Sequence, residues 1–257
     1  MIVNRALQMM KEGKPAFGYA LGMGSPYNAE LLSQCGIDFT LLDRQHGTWG
    51  DDSTNLALAA MQGNAATPMA RVASNDYTRI GRLLDEGMMG IIVPMVHTPE
   101  DAKAVVDACR FPPVGDRSWG WGRARAWGAD YTEWIGEQLF VAVQIESAQA
   151  VENVEAIMAT PGIRGCWTGP SDLSFSLGFH PSEMDDREEH ARALGKIVQA
   201  CRNTGTIPGV AGRSLDDAKR RADQGFLFIT AGSDAGFLMA GAAAGLAELN
   251  AHRQQMK

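Results

Sequence analysis

Eight short apolar segments recur along the chain at residues 17–23, 39–43, 67–72, 90–95, 140–145, 163–168, 207–210 and 227–230, with helix signals filling the stretches between them. Strands alternating with helices build a parallel sheet, because each return crossing lays a helix over the sheet. Eight such units within 257 residues predict an α/β fold, a (β/α)8 TIM barrel formed by residues 1–257 as one domain. That barrel typically takes about 250 residues, and its chemistry sits at the carboxyl ends of its strands. Local signals agree. Thr98-Pro99-Glu100-Asp101 places a capping threonine before a first-turn proline and acids. Ser214-Leu215-Asp216-Asp217 opens a second helix that Gly225 ends, and 148–159 reads as one helix with Val151, Val154 and Ile157 at helical spacing.

The potentially reactive residues gather where the apolar segments end. Asp43 and His46 close the second, Arg71 the third, Gln144 and Glu146 the fifth, and Gly169-Pro170-Ser171-Asp172 the sixth. Gln144 and Glu146, two residues apart, point to one face. Two pocket carboxylates, Glu146 and Asp172, need a partner, since unpaired buried charge is costly. A divalent cation satisfies both, and an all-oxygen ligand set selects Mg²⁺ or Mn²⁺ over zinc; pairing with an arginine such as Arg71 is the alternative. His46, held by Asp43, has the properties of a general base near neutral pH, although a lone histidine is often structural. Arg71 suits a carboxylate or a developing oxyanion. The run 169–172 resembles the entry to a helical turn, whose free N–H groups and Ser171 hydroxyl would cradle a carboxylate. His97 is a weaker candidate, and His180, His190 and His252 read as surface residues.

What is missing narrows the chemistry. None of Lys11, Lys14, Lys103, Lys196, Lys219 and Lys257 falls at a strand's carboxyl end, which disfavours a Schiff-base amine. A net charge of −7 leaves no basic footprint for nucleic acid, though a local cationic site can exist on an acidic chain. Cys35, Cys109, Cys166 and Cys201 show no metal-ligand spacing and read as reduced, buried side chains. No apolar run is long enough to span a bilayer, and Met1-Ile2-Val3-Asn4-Arg5 has no leader-like pattern, so the expectation is a soluble cytoplasmic protein with no membrane partner. The metal, Arg71 and His46 together describe an enolate mechanism on a chelated 2-oxo acid.

Two regions depart from the alternation. The loop 111–127, rich in Gly, Arg and Trp, reads either as a lid or subunit contact at the active-site rim or as surface packing; Trp119, Trp121 and Trp127 are its candidates for an aldehyde pocket. The stretch 233–249 is nearly all Ala, Gly, Leu, Met and Phe. A helix this apolar is buried on more than one face, against its own strands or against another subunit.

Leu42-Asp43-Arg44-Gln45-His46-Gly47, Gly90-Ile91-Ile92-Val93-Pro94-Met95-Val96, Phe111-Pro112-Pro113-Val114-Gly115-Asp116-Arg117, Val143-Gln144-Ile145-Glu146 and Gly169-Pro170-Ser171-Asp172-Leu173-Ser174 together resemble the HpcH/HpaI family of class II pyruvate aldolases, the group of the 4-hydroxy-2-oxoheptanedioate and 2-dehydro-3-deoxyglucarate aldolases. The resemblance runs through nearly the whole chain. It implies reversible cleavage of a 4-hydroxy-2-oxo acid to pyruvate, or a related acid such as hydroxypyruvate, and an aldehyde. It implies Glu146 and Asp172 as ligands of Mg²⁺ or Mn²⁺ (Co²⁺ is a further candidate) and Gln144, Gly169, Ser171 and Asp172 as pyruvate contacts. His46 would be the proton acceptor, Arg71 the stabiliser of charge and Asp85 the carboxylate that raises the basicity of His46. It also implies a homo-oligomer, a hexamer or trimer of dimers, with an exchanged C-terminal helix. The competing readings are an acyl-CoA lyase and a catalytically silent oxo-acid-binding barrel. One departure stands out: the family commonly has Asp-x-Glu-His where this chain has Asp43-Arg44-Gln45-His46, removing a carboxylate beside the base and adding a cation.

Overall fold

In the structure, a computed structural model that describes residues 3–120 and 122–256, the apolar segments become eight parallel strands. They are β1 (Ala16–Leu21), β2 (Phe39–Asp43), β3 (Thr67–Arg71), β4 (Gly90–Val93), β5 (Phe140–Gln144), β6 (Gly165–Trp167), β7 (Gly209–Ala211) and β8 (Phe228–Ser233). Neighbours in sequence pair in register from β1 to β6, while β8 pairs with both β1 and β7. The ring closes through bridges Gly165↔Ile207 and Thr168↔Val210, with Thr168 N–H donating to Gly209 O at 2.8 Å. Eight strands and their surrounding helices thus form the expected (β/α)8 barrel. No helix among the described residues is long and apolar enough to cross a membrane.

Two apolar layers hold the barrel. Between strands and helices lie Leu42, Ile91, Val93, Val141, Val143 and Ile229, all fully buried. Inside the ring Phe39, Met69, Ile92, Phe140 and Phe228 meet, with Phe228 centred 4.5 Å from Phe39 and 4.9 Å from Phe140. Strands buried on both faces carry continuous rather than alternating apolar sequence, which is why they are legible as short runs. Gly18 makes room for this interior: a Cβ there would fall 2.2 Å from Phe39 Cε2. Leu7 and Met10 of the N-terminal helix Arg5–Lys11 join the same cluster and plug the amino end of the barrel. The aromatic filling occupies the lower strand positions, so polar residues at the carboxyl ends remain open to a ligand.

Several local expectations are corrected. The stretch 148–159 is two short helices, Ala148–Glu152 and Val154–Met158, interrupted at Asn153, whose carboxamide donates to His97 O at 2.9 Å. Cys35 is exposed rather than buried, in the turn after the helix Pro26–Ser33. His190 is buried at 1% exposure, with Nε2 3.2 Å from Pro170 O; its place on the inner face of the helix Glu188–Thr204 carries it under the strand ends. The loop is strapped along the outer helices rather than over the strand ends: Ser118 N–H donates to Tyr77 Oη at 2.7 Å, Arg123 reaches Gln62 at 2.9 Å and Trp127 Nε1 donates to Gly87 O at 2.9 Å. The physical reason is direction, since a connection from a helix back to the next strand begins at the helix's far end. Trp121 lies outside the described residues, while Trp119 packs 5.7 Å from Phe111, so within one chain the described part of this loop builds no wall of the strand-end pocket.

The C-terminal helix Asp234–Gln255 docks on its own barrel only at its start. Asp234 accepts from Gly22 N and Met23 N at 2.9 and 3.1 Å, and Phe237 packs edge-on to Tyr19. Beyond that, Leu238, Met239, Leu246 and Leu249 are all exposed.

Candidate active site

Parallel register sets Asp43 directly beside Arg71 at the ends of β2 and β3. The guanidinium grips the carboxylate with two bonds, Nε to Oδ1 at 2.9 Å and Nη2 to Oδ2 at 2.5 Å, and lies 5.1 Å from the Trp167 ring centre. Burial pushes the Asp43 pKa up, but Arg71 and the backbone N–H groups of His46 and Gln45 outweigh it and hold the carboxyl below its usual range. Arg71 Nη1 makes no hydrogen bond among the described residues, leaving one arm of the fork for a ligand. Asp43 and Arg71 both line a cavity of about 410 Å³ at the mouth of the barrel.

The tie between Asp43 and His46 differs from expectation. Asp43 Oδ1 accepts from the His46 backbone N–H at 3.2 Å, so it fixes the turn rather than the imidazole, and the residue itself is exposed at the rim. Asp85 is not brought to His46 in this chain. It accepts from Arg117 Nη2 at 3.0 Å, because the helix Tyr77–Glu86 turns its side chain into the outer layer toward the loop. Within one chain Asp85 therefore anchors the loop.

Glu146 lies just past β5. Its Oε1 accepts from Met95 N–H at 3.0 Å and its Oε2 from Gln144 Nε2 at 2.5 Å. Met95 adopts φ +59 to present that N–H, a left-handed conformation uncommon for a residue with a side chain and characteristic of functional sites. Burial raises the Glu146 pKa; the Met95 N–H opposes this, Asp172 adds to it, and Arg71 and His46 counter it. Four neighbouring groups thus act on Glu146.

Asp172 arrives from the following loop, where the short helix Pro170–Ser176 begins as the sequence suggested. Gly169 is the hinge of the arrangement: a Cβ added there would stand 3.0 Å from Glu146 Oε2, 3.2 Å from Asp172 Oδ2 and 3.4 Å from Gln144 Nε2. The two carboxylates therefore face one small volume that only glycine leaves open. Ser171 and Asp172 occupy the helix's first turn, where backbone N–H groups lack intrahelical acceptors. Gln144 Oε1 and, on the neighbouring strand, Trp167 Nε1 are buried without partners among the described residues, as in a site built for a bound polar species. No cluster of three or more His, Cys, Asp or Glu side chains suited to a metal occurs among the described residues. Two carboxylates with spare oxygens, one of them destabilised as an anion by burial, fit a hard divalent cation that keeps open positions.

The departures at Arg44 and Gln45 are placed outward and inward respectively. Arg44 turns away from the pocket to Asp51 at 2.5 Å and Glu86 at 3.8 Å, so its charge is spent in the helical layer. Gln45 donates its backbone N–H to Asp43, and its Oε1 is buried without a partner. Glu86 itself is 3% exposed, and burial, countered by Arg44 and Arg82, lifts its pKa to about 7. Because the folded state holds this proton after the unfolded chain has released it, stability should fall as pH rises from about 4.5 to 7 and level off above, by roughly 3 kcal/mol. Glu86→Gln should flatten that slope and gain on the parent at pH 8; parallel urea-stability profiles at pH 5 and pH 8 would refute this.

Fold and site together define a (β/α)8 barrel with a carboxylate-bearing pocket at its mouth, and its relatives make it a carbon–carbon lyase. The family model for HpcH/HpaI aldolase/citrate lyase matches residues 20–240, and the chain belongs to that family. It is 33% identical to a 4-hydroxy-2-oxo-heptane-1,7-dioate aldolase of Escherichia coli (strain ATCC 8739) over 96% of this chain and 95% of that one. It is 36% identical to the protein of the same name from Klebsiella pneumoniae subsp. pneumoniae, over 94% and 92% of the two chains. The solved HpcH/HpaI aldolase/citrate lyase family protein of Burkholderia cenocepacia J2315 superposes with a TM-score of 0.90 at 29% identity, covering 96% of this chain and all of that one.

Strand-end carboxylates, His46 and Arg71 are legible from position alone. Met95, Trp167 and His190 are not. Met95 contributes a backbone group, Trp167 a ring face to Arg71 and His190 a ring nitrogen to Pro170 O, so none of these residue types signals its place.

Proposed function

We propose that this protein is a class II aldolase that reversibly cleaves a 4-hydroxy-2-oxo acid to pyruvate, or a close 2-oxo acid such as hydroxypyruvate, and an aldehyde. The observation that carries the reading is the convergence of Glu146, Asp172 and Gln144 on the space over Gly169. Glu146 and Asp172 would hold a divalent metal, Mg²⁺ or Mn²⁺, with Co²⁺ as a further candidate. When bound, that ion supplies Lewis acidity to the ketone and carboxylate of the 2-oxo acid. The residues do the rest. Ser171, Gln144 and the backbone N–H groups after Gly169 orient the acid. His46 takes the proton of the C4 hydroxyl; the C3–C4 bond breaks, its electron pair passes to the C2 oxygen, and the aldehyde departs. Arg71 Nη1 meets the negative charge that develops, while Asp43 keeps the guanidinium in place. His46 then returns the proton to C3. Asp85, which meets Arg117 within one chain, would support the basicity of His46 in the assembled protein.

The apolar stretch 237–249, exposed along its whole length, supports assembly of copies into a homo-oligomer through this helix. The reaction is tested with free 4-hydroxy-2-oxo acids under Mg²⁺ and Mn²⁺, following release of the 2-oxo acid. Metal-dependent cleavage is expected; turnover confined to CoA thioesters would replace this reading with an acyl-CoA lyase.

A further inference from the structure

The amino end of the barrel, opposite the candidate active site, holds a cavity of about 580 Å³ lined by Lys11, Arg110, Arg164, Arg202, Thr204 and Thr206. No aspartate or glutamate among the described residues lines it, although the chain carries thirty of them against twenty-three Lys and Arg. None of the four cations makes an ion pair among the described residues, whereas Arg44, Arg71, Arg117, Arg213, Arg220 and Arg221 all do. Arg110 and Arg164 donate to the same acceptor, Gly136 O, at 2.8 Å for Arg164, which sets two like charges side by side. Arg110 is 7% exposed, and the Nε–H groups of both arginines are buried with no acceptor.

A bland account exists for part of this. Helices end at this face, Lys11 and Arg202 in the last turns of Arg5–Lys11 and Glu188–Thr204 and Arg110 at the end of Pro99–Cys109, and cations favour helix carboxyl ends. Each end supplies only about half an elementary charge, screened at an exposed surface. Dipoles explain one cation per helix. They do not explain four facing one cavity, nor buried guanidinium donors left without acceptors, whose desolvation is costly unless a partner arrives. Burial and the adjoining Arg164 pull the Arg110 pKa below its usual value, against the opposing pull of the Cys109 thiol and the Glu137 carboxylate.

We propose that this cavity binds a small, multiply charged oxyanion, a phosphate-bearing or dicarboxylate molecule, at a site separate from the reaction centre. Arg110 and Arg164 form its floor, and Lys11 and Arg202, both exposed, close over it. The proposal stands independently of the reaction assigned above. It is tested by calorimetric titration of inorganic phosphate and of succinate into the full-length protein with Mg²⁺ present, at low and at raised ionic strength. Binding of either probe, weakened at least about tenfold in Lys11→Ala/Arg202→Ala and retained in Arg71→Lys, is the expected result. Phosphate alone would identify a phosphorylated ligand, succinate alone a dicarboxylate, and both a site selecting for charge. Arg202→Gln, which removes one exposed cation, serves if the double variant does not fold. No binding of either probe, binding indifferent to Lys11 and Arg202, or binding lost only in Arg71→Lys would overturn the proposal.

Discussion

Glu146→Gln should abolish metal-dependent turnover, lowering kcat/KM about a thousandfold, while the protein remains folded. Lewis-acid polarisation contributes several kcal/mol to such transition states, and each ~1.4 kcal/mol is tenfold in rate. The substitution preserves shape but removes the charge that would hold the cation, and its amide can accept from Met95 N–H or from Gln144, not from both. Burial already disfavours the carboxylate, so losing the charge should leave the melting temperature within a few degrees of the parent. Two readouts separate this from a folding defect. Mn²⁺ should raise the melting temperature of the parent but not of the variant, since a ligand stabilises only the state that binds it. Full activity of Glu146→Gln in the presence of chelator would remove Glu146 from the metal site and metal from the mechanism.

Arg71→Lys should lower kcat by about a hundredfold to a thousandfold with a smaller change in KM. The guanidinium performs two tasks at once, gripping Asp43 through Nε and Nη2 while Nη1 remains for the developing charge. An ammonium keeps the charge but not the fork, so it serves one task at the expense of the other. Arg71→Ala goes further by leaving Asp43 alone. Their side chains are 10% and 16% exposed, and breaking a pair this buried costs on the order of 3–5 kcal/mol. Unchanged kcat in the Arg71→Lys enzyme would show that Arg71 is only a structural partner of Asp43.

Much of this is readable in the sequence, for physical reasons. Strands buried on both faces announce themselves as unbroken apolar runs, and the end of each run is where a barrel places its chemistry. Asp43, Arg71, Gln144 and Glu146 are therefore located by the fold itself, and residues 169–172 by their helix-start pattern. Side-chain pairing is harder. Nothing in the order Asp43-Arg44-Gln45-His46 says that Asp43 faces Arg71 across the sheet and holds His46 only by its backbone. Asp85 is a further case: the family resemblance joins it to His46, and within one chain its helix delivers it to Arg117, a contact that no local sequence pattern announces. The loop stays open for a related reason: tryptophans and glycines suit a lid, a subunit contact or surface packing alike, and the direction of the preceding helix decides where the connection starts. The C-terminal helix can be read only as needing cover, because composition records apolarity and not its partner.

Proton exchange at the methyl group of pyruvate in deuterated water, with Mn²⁺ or Mg²⁺ and again after chelation, tests the central claim most directly, because it isolates formation of the enolate from the identity of the aldehyde. Exchange that requires metal and is lost in His46→Ala is the predicted result. Exchange that persists in chelator, or that survives loss of His46, would contradict the assignment of base and metal site to this cluster.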